Sequence, residues 1–306
     1  MSEIEKYLAD YLNYLEIEKN RSPKTSENYK HYLNEFFKFS KIKSPADITE
    51  SAVTEFRKAL ARPFDSAQGQ KTPRTLKKLT QSYYVIAIRN FLKYLARHDV
   101  KVIPPEKIEL PKTPARQIET IEYADLERLL AAPKGDSLRA LRDRAILETF
   151  FSTGLRLAEL CSLSRYVDIR RGELSVRGKG DKIRVVFLAD STKKAIEAYL
   201  AKRGDAEEKL FVSLDKSGKI IGPITPRSVQ RMVAARAKEA GIPGQIHAHQ
   251  LRHSFATDLL MNGADIRSVQ ALLGHANIST TQAYTHLTDK QLREIHQTFH
   301  GKRRRQ

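Results

Sequence analysis

The sequence has one cysteine, Cys161, in 306 residues. An internal disulfide is therefore excluded, and the composition suits a reducing compartment such as the cytosol. No apolar run approaches the roughly 20 residues that span a bilayer as a helix. The opening Met1-Ser2-Glu3-Ile4-Glu5 is acidic and has no signal-peptide core. Acids are scarce beside bases, 36 against 54, for a formal net charge of +18. That excess calls for a polyanionic partner, and nucleic acid fits better than a membrane surface. Nor is there a cysteine or carboxylate cluster to complete a metal site, so no cofactor is expected. Hydrophobic residues are plentiful, at 41%. That is too many for a disordered chain and, at this length, enough for two domains with their own cores.

Residues 1–100 read as helical. Ser2 and Glu5 have capping-box spacing, and Ile4, Tyr7, Leu8, Tyr11, Leu12 and Leu15 recur at helical intervals. A second helix carries Tyr29, Tyr32, Leu33, Phe36 and Phe37. A third begins near Thr49 and carries Val53, Phe56 and Leu60. Arg62 to Gln70, with Pro63 and Gly69, reads as a loop. The fourth helix is expected after Thr72-Pro73, with Leu76, Leu79, Tyr83, Ile86, Phe91 and Leu95 as its apolar set. No acid occurs between Asp65 and Asp99, where Lys71, Arg74, Lys77, Lys78, Arg89, Lys93 and Arg97 fall. Such a stretch is either a solvated face or a surface that binds DNA backbone by charge neutralisation and counterion release. The first six of these basic residues are the DNA-binding candidates.

Residues 101–115 contain Pro104, Pro105, Pro111 and Pro114, which cannot continue a helix and read as a stiff linker. The second domain, 116–306, opens with helices near Tyr123–Ala132, Ser137–Phe151 and Arg156–Leu163. A three-stranded antiparallel meander follows: Tyr166–Ile169, Glu173–Arg177 and Ile183–Leu188. Leu174 and Val176, and Ile183, Val185 and Phe187, alternate with polar residues as a half-buried sheet requires. From Ser191 onward helices are expected to the end, broken at Gly204, Pro223, Gly241, Gly263 and Gly274. The expected class is mainly α with a small antiparallel β-sheet.

Four motifs carry the chemistry. Arg156 lies in Thr153-Gly154-Leu155-Arg156-Leu157-Ala158-Glu159-Leu160, and Lys179 lies in Gly178-Lys179-Gly180. His249 and Arg252 lie in His249-Gln250-Leu251-Arg252-His253. His275 closes Leu272-Leu273-Gly274-His275, and Tyr284 follows nine residues later. Two arginines, a lysine, two histidines and a tyrosine suffice for phosphodiester transesterification without a metal. Tyr284 is the candidate nucleophile, needing activation because a tyrosine hydroxyl titrates near 10. Arg156 and Arg252 are the candidate phosphate clamp, with Glu159 as support; for any arginine a surface salt bridge is the simpler alternative. Lys179, on a turn between glycines, is either a solvated hairpin residue or the general acid for the leaving 5′-oxygen. His249 and His275 suit proton transfer or phosphate contact. A Walker loop is excluded because Gly180, not Ser or Thr, follows Lys179. A zinc protease site is disfavoured because Gln250, not Glu, follows His249. Leu259–Gly274 looks like a helix-turn-helix with Gly263 at the turn.

These motifs, in this order, resemble the tyrosine recombinases, the λ-integrase-like family, and Leu272 to Tyr284 with the last helix is most similar to the Xer branch. The resemblance implies an N-terminal helical core-binding domain and a C-terminal catalytic domain that close as a C-shaped clamp on duplex DNA. It assigns catalytic roles to Arg156, Lys179, His249, Arg252, His275 and Tyr284. It implies homodimers on paired inverted half-sites and a homotetramer, or a heterotetramer with a paralogue, in the synapse. It further implies a 3′-phosphotyrosyl intermediate, a Holliday junction, a DNA-translocase activator and a cytoplasmic, nucleoid-associated setting. Two departures stand out: Ala248 precedes His249 where Xer proteins carry proline, and the Arg62–Gln70 loop is long. A phage or transposon integrase and a non-cutting DNA-binding accessory protein are the alternatives. Finally, Leu292, Ile295 and Phe299 form an apolar stripe on Asp289–Phe299, too short a helix to stand alone in water. Docking on its own domain is the simpler alternative; the resemblance favours docking into a neighbouring protomer, with Lys302–Arg305 as a basic tail beyond it.

Overall fold

The computed structural model describes residues 2–62, 76–111, 121–178, 183–274 and 289–300, with backbone alone at 289–292. The chain divides into two compact units, Met1–Gln117 and Ile118–Gln306. No described helix is long and apolar enough to cross a membrane.

The first unit is helical. α1 (Glu3–Ile17) starts at the anticipated capping box, with the Ser2 amide donating to the Glu5 carboxylate at 2.7 Å. α2 (Pro23–Ser40) is capped by Ser22 with Pro23 at its first position, and α3 (Glu50–Ala61) by Thr49. α4 (Lys78–Arg97) lies along them. Its expected start after Thr72-Pro73 and most of the loop from Arg62 to Gln70 lie outside the described residues. Aromatic rings fill the centre: Tyr11 is 5.3 Å from Phe91 and 5.2 Å from Tyr94, and Phe36 is 5.2 Å from Phe56, centroid to centroid. Described residues of the proline-rich stretch join this core. Val102 and Ile103 pack on it, Ile108 is buried, and Lys107 pairs with Glu50 at 3.1 Å. Prolines stop helix formation, but apolar side chains between them still seek cover.

The second unit is built around α6 (Leu138–Thr153), in which every residue from Ala145 to Thr153 is buried. Its threonines are tolerated there because their hydroxyls bond back to the helix. Thr149 donates to the Ala145 carbonyl at 2.6 Å and Thr153 to that of Thr149 at 2.5 Å. Around it lie α5 (Tyr123–Ala131), α7 (Leu157–Ser162), α8 (Asp190–Ala201), α9 (Pro226–Glu239), α10 (Ala248–Met261), α11 (Ile266–Leu273) and α12 (Asp289–Phe299).

Three expectations for this unit are corrected. Tyr166–Ile169 forms turns rather than a strand, so the meander reduces to the hairpin β1 (Glu173–Arg177) and β2 (Ile183–Phe187). β2 is covered on both faces rather than on one. Val176 pairs with Arg184 and Leu174 with Val186, so residues 184 and 186, not 183 and 185, share the buried face of β1. Ile183 is exposed, while Phe187 is buried in a separate cluster with Phe255. A second hairpin, β3 (Val212–Leu214) with β4 (Ile220–Pro223), interrupts the expected run of helices. Its turn is held by Asp215, which accepts from the Lys219 amide at 2.9 Å and the Ser217 hydroxyl at 2.7 Å. Such a short strand pair gives almost no periodicity to read.

α12 packs in the single chain on its own unit. Ile295 and Phe299 cover the cluster of Phe187, Phe255, Leu259, Val269, Leu272 and Leu273. His296 Nε2 lies 2.6 Å from the Ser152 carbonyl, and Arg293 pairs with Glu173.

Candidate active site

Three helix ends meet at the site. α6 stops at Gly154, which adopts φ +58°; a Cβ there would sit 2.5 Å from Phe255 Cδ1 and 2.9 Å from Leu273 Cδ2. Only glycine satisfies both the left-handed turn and the close packing. Two residues on, Arg156 is the N-cap of α7, rather than an interior position of a helix from 156 to 163. Its extended backbone lets its amide reach the Glu159 carboxylate at 2.8 Å, as in a capping box.

α11 ends at Gly274, again left-handed, at φ +61°. A helix C-terminus leaves its last carbonyls without partners and carries partial negative charge. Here three successive carbonyls each take one arginine. Arg184 Nε donates to Leu272 O at 3.3 Å, Arg252 to Leu273 O at 2.7 Å and Arg156 to Gly274 O at 3.0 Å. Arg252, on α10, also donates to Gly154 O at 2.6 Å, which ties the C-termini of α6 and α11 together.

Glu159 is the carboxylate among them and is buried. Arg156 Nη1 and Arg184 Nη1 share Oε1, both at 2.9 Å, while the Arg156 amide and Arg184 Nη2 share Oε2, both at 2.8 Å. Burial alone would raise its pKa. The hydrogen bonds from Arg184 and from both the main chain and side chain of Arg156 outweigh that and hold it at about 2. Arg252 shows the converse effect. Its burial, with the positive charges of Arg156 and Arg184 nearby, pushes its guanidinium down to about 10, against the opposing pull of Glu159. It remains a cation at neutral pH. A buried excess of positive charge is unfavourable without a counter-anion, so this cluster suits an anionic group such as a phosphodiester.

His249 lies one turn before Arg252 on α10, exposed, with its ring stacked on His247 at 5.6 Å and edge-on to His253 at 5.9 Å. Among the described residues, no group of three or more His, Cys, Asp or Glu side chains could hold a metal ion. The structure thus brings Arg156 and Arg252 together and places His249 one turn away. Lys179, His275 and Tyr284 lie outside the described residues, as do Lys71 and Arg74. On α4, Lys77, Lys78 and Lys93 are exposed and Arg89 is half-buried. Arg184 escaped the sequence reading. On an alternating strand it looked like the solvated partner of Ile183 and Val185, and only the Val176–Arg184 register turns it inward.

Comparison with known proteins identifies the family. Residues 119–291 match the phage integrase family, and residues 8–99 match the phage integrase N-terminal SAM-like domain. The chain is 36% identical over 306 residues to tyrosine recombinase XerC of Thermodesulfovibrio yellowstonii, covering 98% of each protein. It is 35% identical over 308 residues to tyrosine recombinase XerD of Listeria monocytogenes, covering 96% of this chain and 98% of that one. Among solved structures, a λ integrase dimer bound to a COC′ core site shares the fold. The TM-score is 0.67 at 17% identity, over 90% of this chain and 96% of the other. XerH bound to difH before cleavage gives a TM-score of 0.62 at 24% identity, over 94% and 82%. With both domains matched and Xer recombinases aligned almost end to end, this chain belongs to the phage integrase family, as a Xer-like tyrosine site-specific recombinase.

Proposed function

We propose that this recombinase cuts and rejoins duplex DNA through a 3′-phosphotyrosyl intermediate. The Tyr284 hydroxyl attacks the scissile phosphorus, a tyrosyl O–P bond forms, and the P–O5′ bond breaks. The departing 5′-oxygen takes a proton from Lys179, and the Tyr284 proton passes to a nearby base, for which His249 and His275 are the candidates. Arg156 and Arg252 neutralise the non-bridging oxygens of the pentacovalent transition state. The 5′-hydroxyl of a partner duplex reverses the bond, so the energy of the phosphodiester is conserved and no ATP is consumed. The observation that carries this reading is the unbalanced cluster of the half-buried Arg156 with Arg184 and Arg252 around the buried Glu159, two of whose arginines fall in the catalytic motifs.

The α4 cations Lys77, Lys78, Arg89 and Lys93, with Lys71 and Arg74, are proposed to grip DNA backbone. Two protomers would occupy inverted half-sites and four would form the synapse, exchanging strands through a Holliday junction. The Xer-like sequence favours resolution of chromosome or plasmid dimers in the cytoplasm, with a DNA translocase as a candidate activator. The domain roles follow: residues 1–100 as the core-binding domain, 101–115 as the connection, and 116–306 as the catalytic domain.

A nicked suicide duplex tests the chemistry. The parent should become covalently attached, and Tyr284→Phe should bind the same duplex without attachment. Attachment persisting in Tyr284→Phe would remove the nucleophile assignment, and a parent that never attaches would favour the non-cutting accessory protein. We further propose that α12 leaves its own unit to dock on a neighbouring protomer in the synapse. Deleting residues 289–306 should leave single half-site binding intact and abolish cooperative pairing and strand exchange. Unchanged cooperativity in gel-shift titrations on paired half-sites would refute the exchange.

A further inference from the structure

Arg184 makes no appearance in the catalytic motifs, yet it is the most heavily engaged arginine of the cluster. Its Nη1 and Nη2 donate in parallel to the two oxygens of Glu159, at 2.9 and 2.8 Å. Its Nε donates to Leu272 O at 3.3 Å, and its side chain is 13% exposed. Every nitrogen of the guanidinium makes a hydrogen bond within the protein, which favours a positioning role over contact with substrate.

What it does control is Arg156. That residue has two side-chain acceptors, Glu159 Oε1 at 2.9 Å and Gly274 O at 3.0 Å. Arg184 holds the first directly. It also packs against the second: a Cβ on Gly274 would lie 2.8 Å from Arg184 Cδ and 3.2 Å from its Nε. Removing the fork frees the Glu159 carboxylate to rotate and opens space beneath the Gly274 peptide, which loosens both anchors of Arg156 together. An ion pair serving stability alone would offset charge. Arg184 instead adds a third cation beside Arg252, whose proton it helps to weaken.

We infer that Arg184 is a positioning residue: by fixing Glu159 and the Gly274 turn, it sets where Arg156 meets the scissile phosphate. This rests on the strand-cleavage reading above and adds to it a residue outside the motif set. A misplacement of about 1 Å at a group that binds the transition state can cost about 10²-fold in rate. Lysine keeps the charge but is a point donor that cannot span both carboxylate oxygens, so Arg184→Lys should recover only part of the loss.

The test measures single-turnover covalent attachment at saturating protein, half-site affinity and thermal melting for five proteins. They are the parent, Arg184→Gln, Arg184→Lys, Glu159→Gln and the Arg184→Gln/Glu159→Gln double variant. Arg184→Gln should slow attachment about 10²-fold and Arg184→Lys less, both with near-parental half-site affinity. Because Arg184 acts in part through Glu159, Arg184→Gln should cost clearly less in the Glu159→Gln background than in the parent, a non-additivity. A parent-like rate for Arg184→Gln, or its full penalty retained beside Glu159→Gln, overturns the inference. So does loss of half-site affinity and melting temperature in both Arg184 variants, which marks a purely structural residue. A parent that never attaches overturns the cleavage reading, and the inference with it; a cleaving parent with a cleaving Arg184→Gln overturns the inference alone.

Discussion

The second unit holds two partly buried arginine clusters, and they are built on different principles. In one, Asp143 takes Arg142 on Oδ1 at 2.7 Å and Arg236 on Oδ2 at 2.7 Å, while Arg236 also pairs with Glu239 at 2.6 Å. Arg142 adds a bond to Val212 O at 3.1 Å, so two cations face two anions and α6, α9 and β3 are joined. In the other, Arg156, Arg184 and Arg252 face the single carboxylate of Glu159, and main-chain carbonyls provide the remaining acceptors. Carbonyls orient a guanidinium but do not cancel its charge. The first cluster is balanced as it stands, whereas the second carries a net positive charge that the proposed function matches to a phosphate. On the proposed function, charge balance separates a structural network from a phosphate site more sharply than burial does.

The largest expected effect tests the balanced side. Asp143→Asn leaves Arg142 and Arg236 buried without their shared anion, which should cost about 3–5 kcal/mol of stability. Calorimetry should show a marked fall in melting temperature, while cleavage well below that temperature stays near the parent's. Slow cleavage by the folded variant would break the distinction between the clusters.

Arg156→Ala and Arg252→Ala test the other side. Each should slow single-turnover cleavage by at least ~10²-fold, the usual cost of a lost transition-state donor. DNA binding should weaken far less, because many other basic residues contact phosphates. Near-parental cleavage in either variant would remove that residue from the clamp.

The smallest effect appears in acid. The Glu159 pKa, about 2, lies below its ordinary 4.5, so the unfolded chain takes up this proton first as pH falls. Its stabilising contribution is complete above 4.5 and is lost as pH drops toward 2. Glu159→Gln should therefore flatten the decline in melting temperature between pH 4.5 and 3 relative to the parent. Parallel curves for the two proteins would show that the arginines do not hold this carboxylate as described.

Much of the molecule was readable before its structure. The capping box of α1 and the apolar intervals of α1 to α3 are local signals, set by neighbours a turn apart, and they announced those helices. The pairing of Arg156 with Glu159 was readable for the same reason. β2 was readable as a strand but not in its facing, because alternation gives a period of two and leaves the register to the hairpin turn. That ambiguity hid Arg184. The β3–β4 hairpin was too short to announce itself, and its turn chemistry at Asp215 emerges only once the strands pair.

By itself the sequence determined the cationic character of the chain, the helical identity of most of its elements, and which residue types stand in the catalytic motifs. Each of these depends on composition or on spacing within a few turns. Only the tertiary structure decided that Leu272, Leu273 and Gly274 present successive carbonyls to three arginines drawn from a helix cap, a strand and a helix. It alone brought Arg252 to Gly154, 98 positions away in the chain. Those contacts form because a helix end exposes unpaired carbonyls, and packing decides which distant donors reach them.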